Sequence, residues 1–422
     1  MPIYLRPGGN DALGGTNDTS DALQTLAAAL AKFDYTNPDK RQVVACADTV
    51  GGSASFGGPG NRFTNVNQSV FAMGTTEAER LTIQGRVGDA ITFNPAGGFF
   101  WIIRDVCRYL DIFNLTLDGA GNNDRQLNIF AQAVYEMHHF RLRSLTFKNG
   151  YASNLYLGQH CHDWTIEDCT SFDAGRLDNQ SNLYYTQGWN AVMRRNYGYY
   201  STTPPSLSGG LRLFTNASVI DEVNALHPEN NVIERNFMKN SRYNYMFDGE
   251  NIAVKNNWSR LAWLYHFQYL ETTGAVNDDV RVLNNSSEGQ GASGAKGLFL
   301  TKGTATNTVN TNNIYYGMTT PIDYNGATPS EALTNLTTDP SFENAGNDNL
   351  RIQTGSAAKN AGTTKAEVTD DYDGNARPSG AGYDIGASEF QEAAMLGLSR
   401  DRLVNVGLIH APKRYWFVGA AR

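Results

Sequence analysis

The sequence predicts an all-β protein wound as a parallel β-solenoid, and two observations support this fold class. The 422 residues include 42 Gly and 42 Asn, which favour tight turns, and 21 Tyr and 20 Phe, which favour strands. A short pattern also recurs along the chain: apolar, any, apolar, any, any, then Asn or a small residue. Two apolar residues at a spacing of two turn one strand face inward, and the closing residue begins a turn.

The repeat has an irregular period, with closing residues 19 to 40 positions apart. Coils of this length that each rise by one strand spacing, about 4.8 Å, form a solenoid. We expect the closing Asn side chains to stack as an internal ladder of hydrogen-bonded amides, with Cys169 as a small thiol in the same stack. The widest gap predicts a loop inserted around residues 202–210. The copies occupy residues 145–150, 164–169, 191–196, 231–236, 252–257 and 280–285, and a degraded copy ends at Asn313.

Composition excludes several classes of protein. With 41% hydrophobic and 18% charged residues, the chain is too apolar and too weakly charged to be disordered. A net charge of −8 without a basic block argues against nucleic-acid binding. No apolar run approaches the roughly 18–20 residues of a membrane span, so no membrane insertion is expected. The N-terminus shows no signal peptide, and four Cys do not make a disulfide framework.

Both ends of the repeat region carry recognisable segments. Near the N-terminus, Leu23, Leu26, Leu30 and Phe33 predict one apolar face of a short helix, with Thr19 or Ser20 as its N-cap. The C-terminal end contains Asp339-Pro340-Ser341-Phe342, Asp373-Gly374-Asn375-Ala376-Arg377-Pro378 and Asp384-Ile385-Gly386-Ala387-Ser388-Glu389-Phe390.

On these segments the chain resembles the right-handed parallel β-helix superfamily, which includes pectate-lyase-like enzymes and phage tailspikes. The resemblance covers roughly residues 1–390 and implies that the N-terminal helix caps the open end of the solenoid. It also divides the chain into an N-terminal strand and capping helix (1–40), a β-helix (41–390) and a C-terminal β tail (391–422). The tail is either a final cap or an element for oligomerisation or anchoring.

The resemblance implies a polysaccharide as partner, and charged residues flank the expected ladder. Outward-facing positions alternate in sign between neighbouring coils, which is typical either of a solvated ion-pair ladder or of a glycan site. A lyase needs a cation or Ca²⁺ and a base, whereas a hydrolase needs two carboxyl groups, and the sequence does not choose between them. Ca²⁺ is therefore an optional cofactor, and no metal ligands are assigned. The candidate catalytic residues are Glu167, Asp168, Asp173, Arg176, Glu234 and Lys255.

Aromatic residues concentrate in the same coils, over about residues 172–270. Some of them must serve the core, but exposed rings could stack on the C–H faces of sugars. The candidate carbohydrate-binding residues are Tyr197, Tyr199, Tyr200, Trp258, Trp263 and Tyr265.

Three functions remain open at this point. The first is a virion-associated phage spike or tail-fibre protein, a homotrimer bound to other virion proteins, assembled in the host cytoplasm. It would bind, and in one version depolymerise, a bacterial surface polysaccharide. The second is a monomeric bacterial polysaccharide lyase, hydrolase or C5-epimerase in a secreted or periplasmic location. The third is a structural β-helix without catalysis.

Overall fold

Three parallel β-sheets form the walls of the protein in its computed structural model. The chain contributes one strand to each sheet in turn, and equivalent strands of successive coils pair in parallel. The protein is thus an all-β, right-handed parallel β-helix, as predicted from the repeat and the resemblance. The described residues are 1–17, 20–57, 63–65, 76–94, 101–104, 108–119, 126–130, 137–158, 161–175, 181–204, 208–213, 229–270, 279–290, 294–301 and 307–391.

The strands of each sheet follow one another along the solenoid axis. Sheet 1 consists of Ile3–Leu5, Gln42–Ala45, Leu81–Gly85, Arg108–Phe113, Met137–Arg143, Cys161–His162, Thr165–Glu167, Val192–Arg194, Glu229–Glu234, Glu250–Lys255, Val280–Leu283, Thr308–Thr311 and Glu331–Leu333. Sheet 2 consists of Ser53–Phe56, Ala90–Phe93, Thr116–Asp118, Thr146–Lys148, Thr170–Phe172, Tyr197–Tyr199, Phe237–Lys239, Trp258–Arg260, Ser286–Glu288 and Ile314–Tyr316. Sheet 3 consists of Phe63–Asn65, Trp101–Arg104, Leu127–Phe130, Leu155–Leu157, Asn182–Thr186, Gly209–Leu213, Tyr243–Phe247, Tyr265–Tyr269, Lys296–Leu300 and Thr320–Asp323.

The core runs through the middle of the three sheets. Alternate residues of each strand point inward, so that residues in register stack in files along the axis. Ile166, Met193 and Ile233 form one such file in sheet 1, and all three are buried. Hydrophobic burial therefore continues from coil to coil, which is why no single coil has to fold alone.

The N-terminal helix is shorter than the sequence pattern predicted. It spans Leu26–Ala31, and Thr25 rather than Thr19 or Ser20 caps it, with its side chain accepting a hydrogen bond from the backbone of Ala28. Leu26 and Leu30 are buried in the core, and Leu23 forms a bridge to the first strand instead of helix. Short 3-10 helices occupy Pro38–Lys40, Glu77–Glu79 and Ala345–Asn347.

The corner between sheets 1 and 2 contains the expected Asn ladder. Each Asn accepts a hydrogen bond from the backbone of the preceding ladder residue, as Asn257 does from Asn236 at 2.9 Å. Cys169 occupies the same file, as predicted, and its backbone donates to Asn196. Leu145 fills the corresponding corner one coil earlier, so the predicted closing position at Gly150 was wrong. The ladder residues are Asn196, Asn236, Asn257, Asn285, Asn313 and Asn335.

Residues 339–390 fold back along the outside of sheet 2. An antiparallel pair, Phe342–Asn344 with Asn349–Ile352, begins this segment, which we call the C-terminal strap. Tyr372 of the strap lies flat on Trp258, with ring centroids 3.8 Å apart. Arg377 and Glu389 form an ion pair whose side chains are 0% and 1% exposed. The strap therefore covers the coils from about residue 235 to residue 316 on this side.

The predicted β tail at 391–422 lies outside the described residues except for Gln391. Among the residues that the structure describes, no helix is long and apolar enough to cross a membrane.

Candidate functional site

The length variation of the coils falls on the two edges of sheet 3. The connection from sheet 1 to sheet 2 is two residues long in coil after coil, as at Asp168–Cys169 and Asn256–Asn257. The connections into sheet 3 include residues 173–181 and 200–208, and a connection out of it occupies 214–228. Long loops on a rigid scaffold are where binding functions concentrate. Sheet 3 is therefore the face where a binding site is expected.

The outer face of sheet 3 carries a first group of aromatic side chains on its middle coils. Tyr156 lies between the buried Leu155 and Leu157, and so its ring points outward. The ring stacks on that of Tyr185 in the next coil, with centroids 5.0 Å apart. The guanidinium carbon of Arg212, one coil further, lies 5.4 Å from the Tyr185 ring centroid. These three residues form a stacked row, the first aromatic group.

A second aromatic group lies further along the same face. The Tyr265 ring is 5.6 Å from Tyr243 and 4.7 Å from Phe299, measured between centroids. Lys296 Nζ lies 4.1 Å from the Phe299 ring centroid and 2.6 Å from Asp323 Oδ2. Burial raises the pKa of Tyr265, and the hydrogen bond from Lys296 lowers the pKa of Asp323. The group is thus a half-buried aromatic row flanked by a neutralised ion pair.

The two groups share one long face. Tyr156 and Phe299 lie on the first and the last of six consecutive strands of sheet 3. Five strand spacings of about 4.8 Å place the two residues about 24 Å apart. Three carboxamides on this face are nearly buried: Asn128, Gln187 and Gln268 are 3%, 3% and 6% exposed. The face can therefore contact an extended, amphipathic polymer at several successive points.

The candidate catalytic residues Glu167 and Asp168 lie elsewhere, at the end of a sheet 1 strand and in its corner with sheet 2. Both are paired with cations: Arg194 Nε is 2.7 Å from Glu167, and Arg195 Nε is 2.8 Å from Asp168. The Asp168 hydrogen bond raises the pKa of Arg195. This arrangement matches the ion-pair ladder that the sequence left open as the alternative interpretation.

Glu234 and Lys255 continue the same ladder, and the C-terminal strap covers them. Lys255 Nζ lies 3.4 Å from Glu234 and donates a hydrogen bond to the backbone oxygen of Glu367 at 3.0 Å. Asp173 accepts two hydrogen bonds from Ser201 and so links two successive coils. Arg176 lies outside the described residues. The structure brings Glu167 near Asp168 and Glu234 near Lys255, but it does not gather the five candidates that it describes into one site.

Three of the carbohydrate-binding candidates on sheet 2 are not free platforms. The expectation of an exposed ring is wrong for Trp258, which is 4% exposed beneath Tyr372. It is also wrong for Tyr200, which is 5% exposed and donates to the backbone oxygen of Ser181. Tyr197 packs partly buried against the cluster that contains Trp258, and burial raises its pKa. Trp258 and Tyr197 are covered because the C-terminal strap packs its own apolar residues, Leu350 and Tyr372, against them.

The other candidates keep accessible surface. Tyr199 is half-buried on sheet 2 and stacks on Phe172, with centroids 5.3 Å apart. Trp263 is 51% exposed at the edge of sheet 3, and its Nε1 donates to Asn240. Tyr265 is the one candidate that belongs to the second aromatic group.

Sequence reasoning missed most of the residues on the face of sheet 3. It aligned the coils on the ladder, which follows sheet 1, and so it weighted the residues near that corner. Strands such as Leu155–Leu157, with a Tyr between two buried Leu, carried the missing signal. Among the described residues, no group of three or more His, Cys, Asp or Glu side chains is arranged to hold a metal ion.

Comparisons with known proteins agree on the fold. No family model matches the chain, and no curated protein matches its sequence. The structure is similar to that of pectate lyase Pel9A, with a TM-score of 0.57 and 12% identity, over 92% of this chain and 96% of that one. It is more distantly similar to the PL6 family polysaccharide lyase Pedsa3628 from Pseudopedobacter saltans (TM-score 0.40, 12% identity, 76% and 94% covered). A third similar structure is the Dettilon tailspike protein gp208 (TM-score 0.31, 10% identity, 78% and 68% covered).

The first of these likenesses supports the fold assignment, and at 12% identity it concerns the fold alone. The three parallel sheets define the chain as a right-handed parallel β-helix, and pectate lyase Pel9A has a similar fold.

Proposed function

We propose that the protein binds an extended polysaccharide along the outer face of sheet 3. The observation that carries the proposal is the pair of aromatic groups on this face. The Tyr156 ring stacks on Tyr185 and the Tyr265 ring on Phe299, the two groups together extend over about 24 Å of sheet, and their rings stay half-exposed in the folded chain. Amphipathic rings of this kind contact partners with both C–H faces and hydroxyl groups.

The surroundings of the face support the same function. The C-terminal strap covers part of sheet 2, and ion pairs occupy the outer face of sheet 1 at Glu167, Arg194 and Glu234. The long connections at 173–181 and 214–228 directly precede and follow strands of sheet 3 along the chain. Rigid strands fix the aromatic rings in advance, and less conformational entropy is lost when a polymer binds.

A virion-associated spike that binds a bacterial surface polysaccharide is the cellular role we favour. This role rests on the sequence, which has few Cys and an apolar C-terminal tail. A homotrimer belongs to the same proposal, and the mass of the full chain in solution would test it.

Cleavage of the bound polysaccharide is the second candidate. The fold that the chain shares with pectate lyase Pel9A supports it, and Ca²⁺ would then be the cofactor to add. The products of a lyase carry a new double bond, so ultraviolet absorbance distinguishes eliminative cleavage from hydrolysis and from binding alone.

The test of polysaccharide binding is a substitution on sheet 3 compared with a matched one outside it. Immobilised plant and bacterial surface polysaccharides would be probed with the labelled wild type, Tyr265→Ala and Tyr4→Ala. We expect Tyr265→Ala to weaken binding at least tenfold, which is about 1.4 kcal/mol, because it removes the centre of the second aromatic group. Tyr4, half-buried on the outer face of sheet 1, should leave binding unchanged.

Two results would contradict the proposal. The first is the absence of binding to any polysaccharide. The second is a loss of binding in Tyr199→Ala with none in Tyr265→Ala, which would move the site to sheet 2.

A further inference from the structure

Gln268 presents a carbonyl oxygen to the outer face of sheet 3. Its neighbours Phe267 and Tyr269 point into the core, and the alternation of the strand therefore turns Gln268 outward. The side chain is 6% exposed, and its Oε1 is buried and accepts no hydrogen bond from any described residue. In register it lies between Met246 and Phe299, that is, at the second aromatic group.

Gln187 repeats this arrangement at the first aromatic group. Its side chain is 3% exposed, and its Nε2 donates a long hydrogen bond of 3.5 Å to the hydroxyl of Tyr185. The Oε1 atom is buried and has no donor among the residues that the structure describes. Asn128, which is in register with Tyr156, likewise has a buried Oδ1 without a donor among the described residues, so each aromatic group is accompanied by at least one such carboxamide.

A buried carbonyl oxygen without a donor costs folding free energy, and most buried polar groups are paired for this reason. Such an oxygen gains most from a ligand that supplies an O–H or N–H group. A carboxylate supplies no donor and would place negative charge against the oxygen. At these two points the carboxamides therefore favour a hydroxyl or acylamino group over a carboxylate.

The acidic balance of the whole chain points in the same direction. Lys296 is paired with Asp323 at 2.6 Å, which neutralises that cation. Arg212 and Arg242 pack over the rings of Tyr185 and Tyr243, with guanidinium carbons 5.4 and 5.7 Å from the ring centroids. The whole chain carries a net charge of −8, which opposes the approach of a polyanion.

We propose that the polysaccharide bound by sheet 3 is neutral or N-acylated along the bound stretch, and that Gln187 and Gln268 are the residues that select it over a polyuronate. This inference rests on the proposed binding function and specifies its substrate class. It predicts that Gln268→Met weakens binding without lowering the melting temperature, because the variant removes an acceptor that the free protein does not use.

The experiment compares retardation of the protein in native gels cast with defined polysaccharides. Dextran, glucomannan and glycol chitin serve as neutral or N-acetylated probes, and polygalacturonate and alginate serve as polyuronates. The variants are Gln268→Met and, as a matched control on the outer face of sheet 1, Gln84→Met. We expect retardation by at least one neutral or N-acetylated probe and at least tenfold weaker affinity in Gln268→Met. The melting temperature of Gln268→Met should be equal to or higher than that of the wild type, and Gln84→Met should bind normally.

The outcomes separate the two proposals. Retardation in no gel overturns polysaccharide binding and this inference with it. Stronger retardation by the polyuronates, or full binding by Gln268→Met, overturns the inference and leaves polysaccharide binding standing. Weak binding together with a lowered melting temperature in Gln268→Met also overturns it, because the amide would then have a structural role.

Discussion

Amide side chains play opposite roles on the inside and on the outside of this solenoid. In the ladder, Asn257 Oδ1 accepts from the backbone and from Nδ2 of Asn236, and its own Nδ2 donates to the backbone oxygen of Ile233. On the outer face of sheet 3, the oxygens of Gln187 and Gln268 are equally buried and accept nothing from the described residues. The same functional group is fully paired where it holds coils together and unpaired where a ligand is expected.

The physical reason lies in what each environment offers. The ladder repeats at the strand spacing, so each amide finds the next one at hydrogen-bond distance in every coil. On the outer face, successive coils place different residues beside Gln268, namely Met246 and Phe299, and neither side chain donates a hydrogen bond. A file of identical amides pairs every donor and acceptor with the next coil, whereas a file of different residues leaves some acceptors without a donor.

Breaking the inner ladder should have the largest effect on stability. Asn257→Ala removes the acceptor of two Asn236 groups and the donor to Ile233 and Asn285, all of them buried. We expect a loss of about 3–5 kcal/mol in the free energy of unfolding. Urea unfolding followed by circular dichroism measures it.

Asn94→Ala provides the control for the ladder variant, because among the described residues the Asn94 side chain only accepts one exposed hydrogen bond, from Ser55 Oγ. It should cost less than 1 kcal/mol. Equal losses of unfolding free energy in the two variants would show that the ladder amides stabilise the fold no more than an exposed amide does.

A buried imidazole in the interior should make the protein sensitive to acid. Burial lowers the pKa of His266 to about 3, and its Nδ1 lies 2.8 Å from Ser259 Oγ. The unfolded chain takes up this proton near pH 6.5 and the folded chain does so near pH 3. The unfolded state therefore binds more protons between these values, and stability falls as the pH drops through this window.

The expected loss from His266 is about 1.4 kcal/mol per pH unit below pH 6.5, or about 2–3 kcal/mol by pH 4.5. Urea midpoints at several pH values, for the wild type and for His266→Asn, isolate this contribution. A variant whose acid dependence equals that of the wild type would refute the assignment to His266.

Extending the ladder by one amide should give the smallest change in stability, and this change should be a gain. Cys169 already places its backbone N–H on Asn196 Oδ1 at 3.0 Å. In Cys169→Asn, the new side chain can accept from Leu145 and donate toward Leu142 as the other ladder amides do in their coils. We expect a gain of about 1 kcal/mol in stability. Cys169→Ser, which is too short to bridge, should give no gain, and a gain of equal size there would exclude the ladder as the cause.

The sequence predicted the fold well because the repeat is local. Spacing of two between apolar residues sets which side chains face inward, and the closing Asn sets the corner. Ladder residues from Asn196 to Asn313 therefore fall where the pattern placed them. The predicted helix began too early, because Asp11 accepts hydrogen bonds from Gln24 and Thr25 and ties them into a turn.

The candidate site was predicted much less well. An outward position in a coil is exposed only if nothing later in the chain packs on it. Trp258 and Lys255 are outward in their own coils, yet Tyr372 and Glu367, more than a hundred residues later, cover them. No local pattern contains that information.

The sequence by itself therefore determined the repeat, the ladder and the parallel β-helix, since each depends on the spacing of neighbouring residues. Only the tertiary structure decided which outer face stays open. The C-terminal strap folds back on sheet 2, where Phe237 and Trp258 supply an apolar surface for Leu350 and Tyr372. Among the described residues, sheet 3 remains the face where half-exposed aromatic rings lie beside carboxamides whose oxygens are buried and accept no hydrogen bond, because burial depends on contacts between residues far apart in the chain.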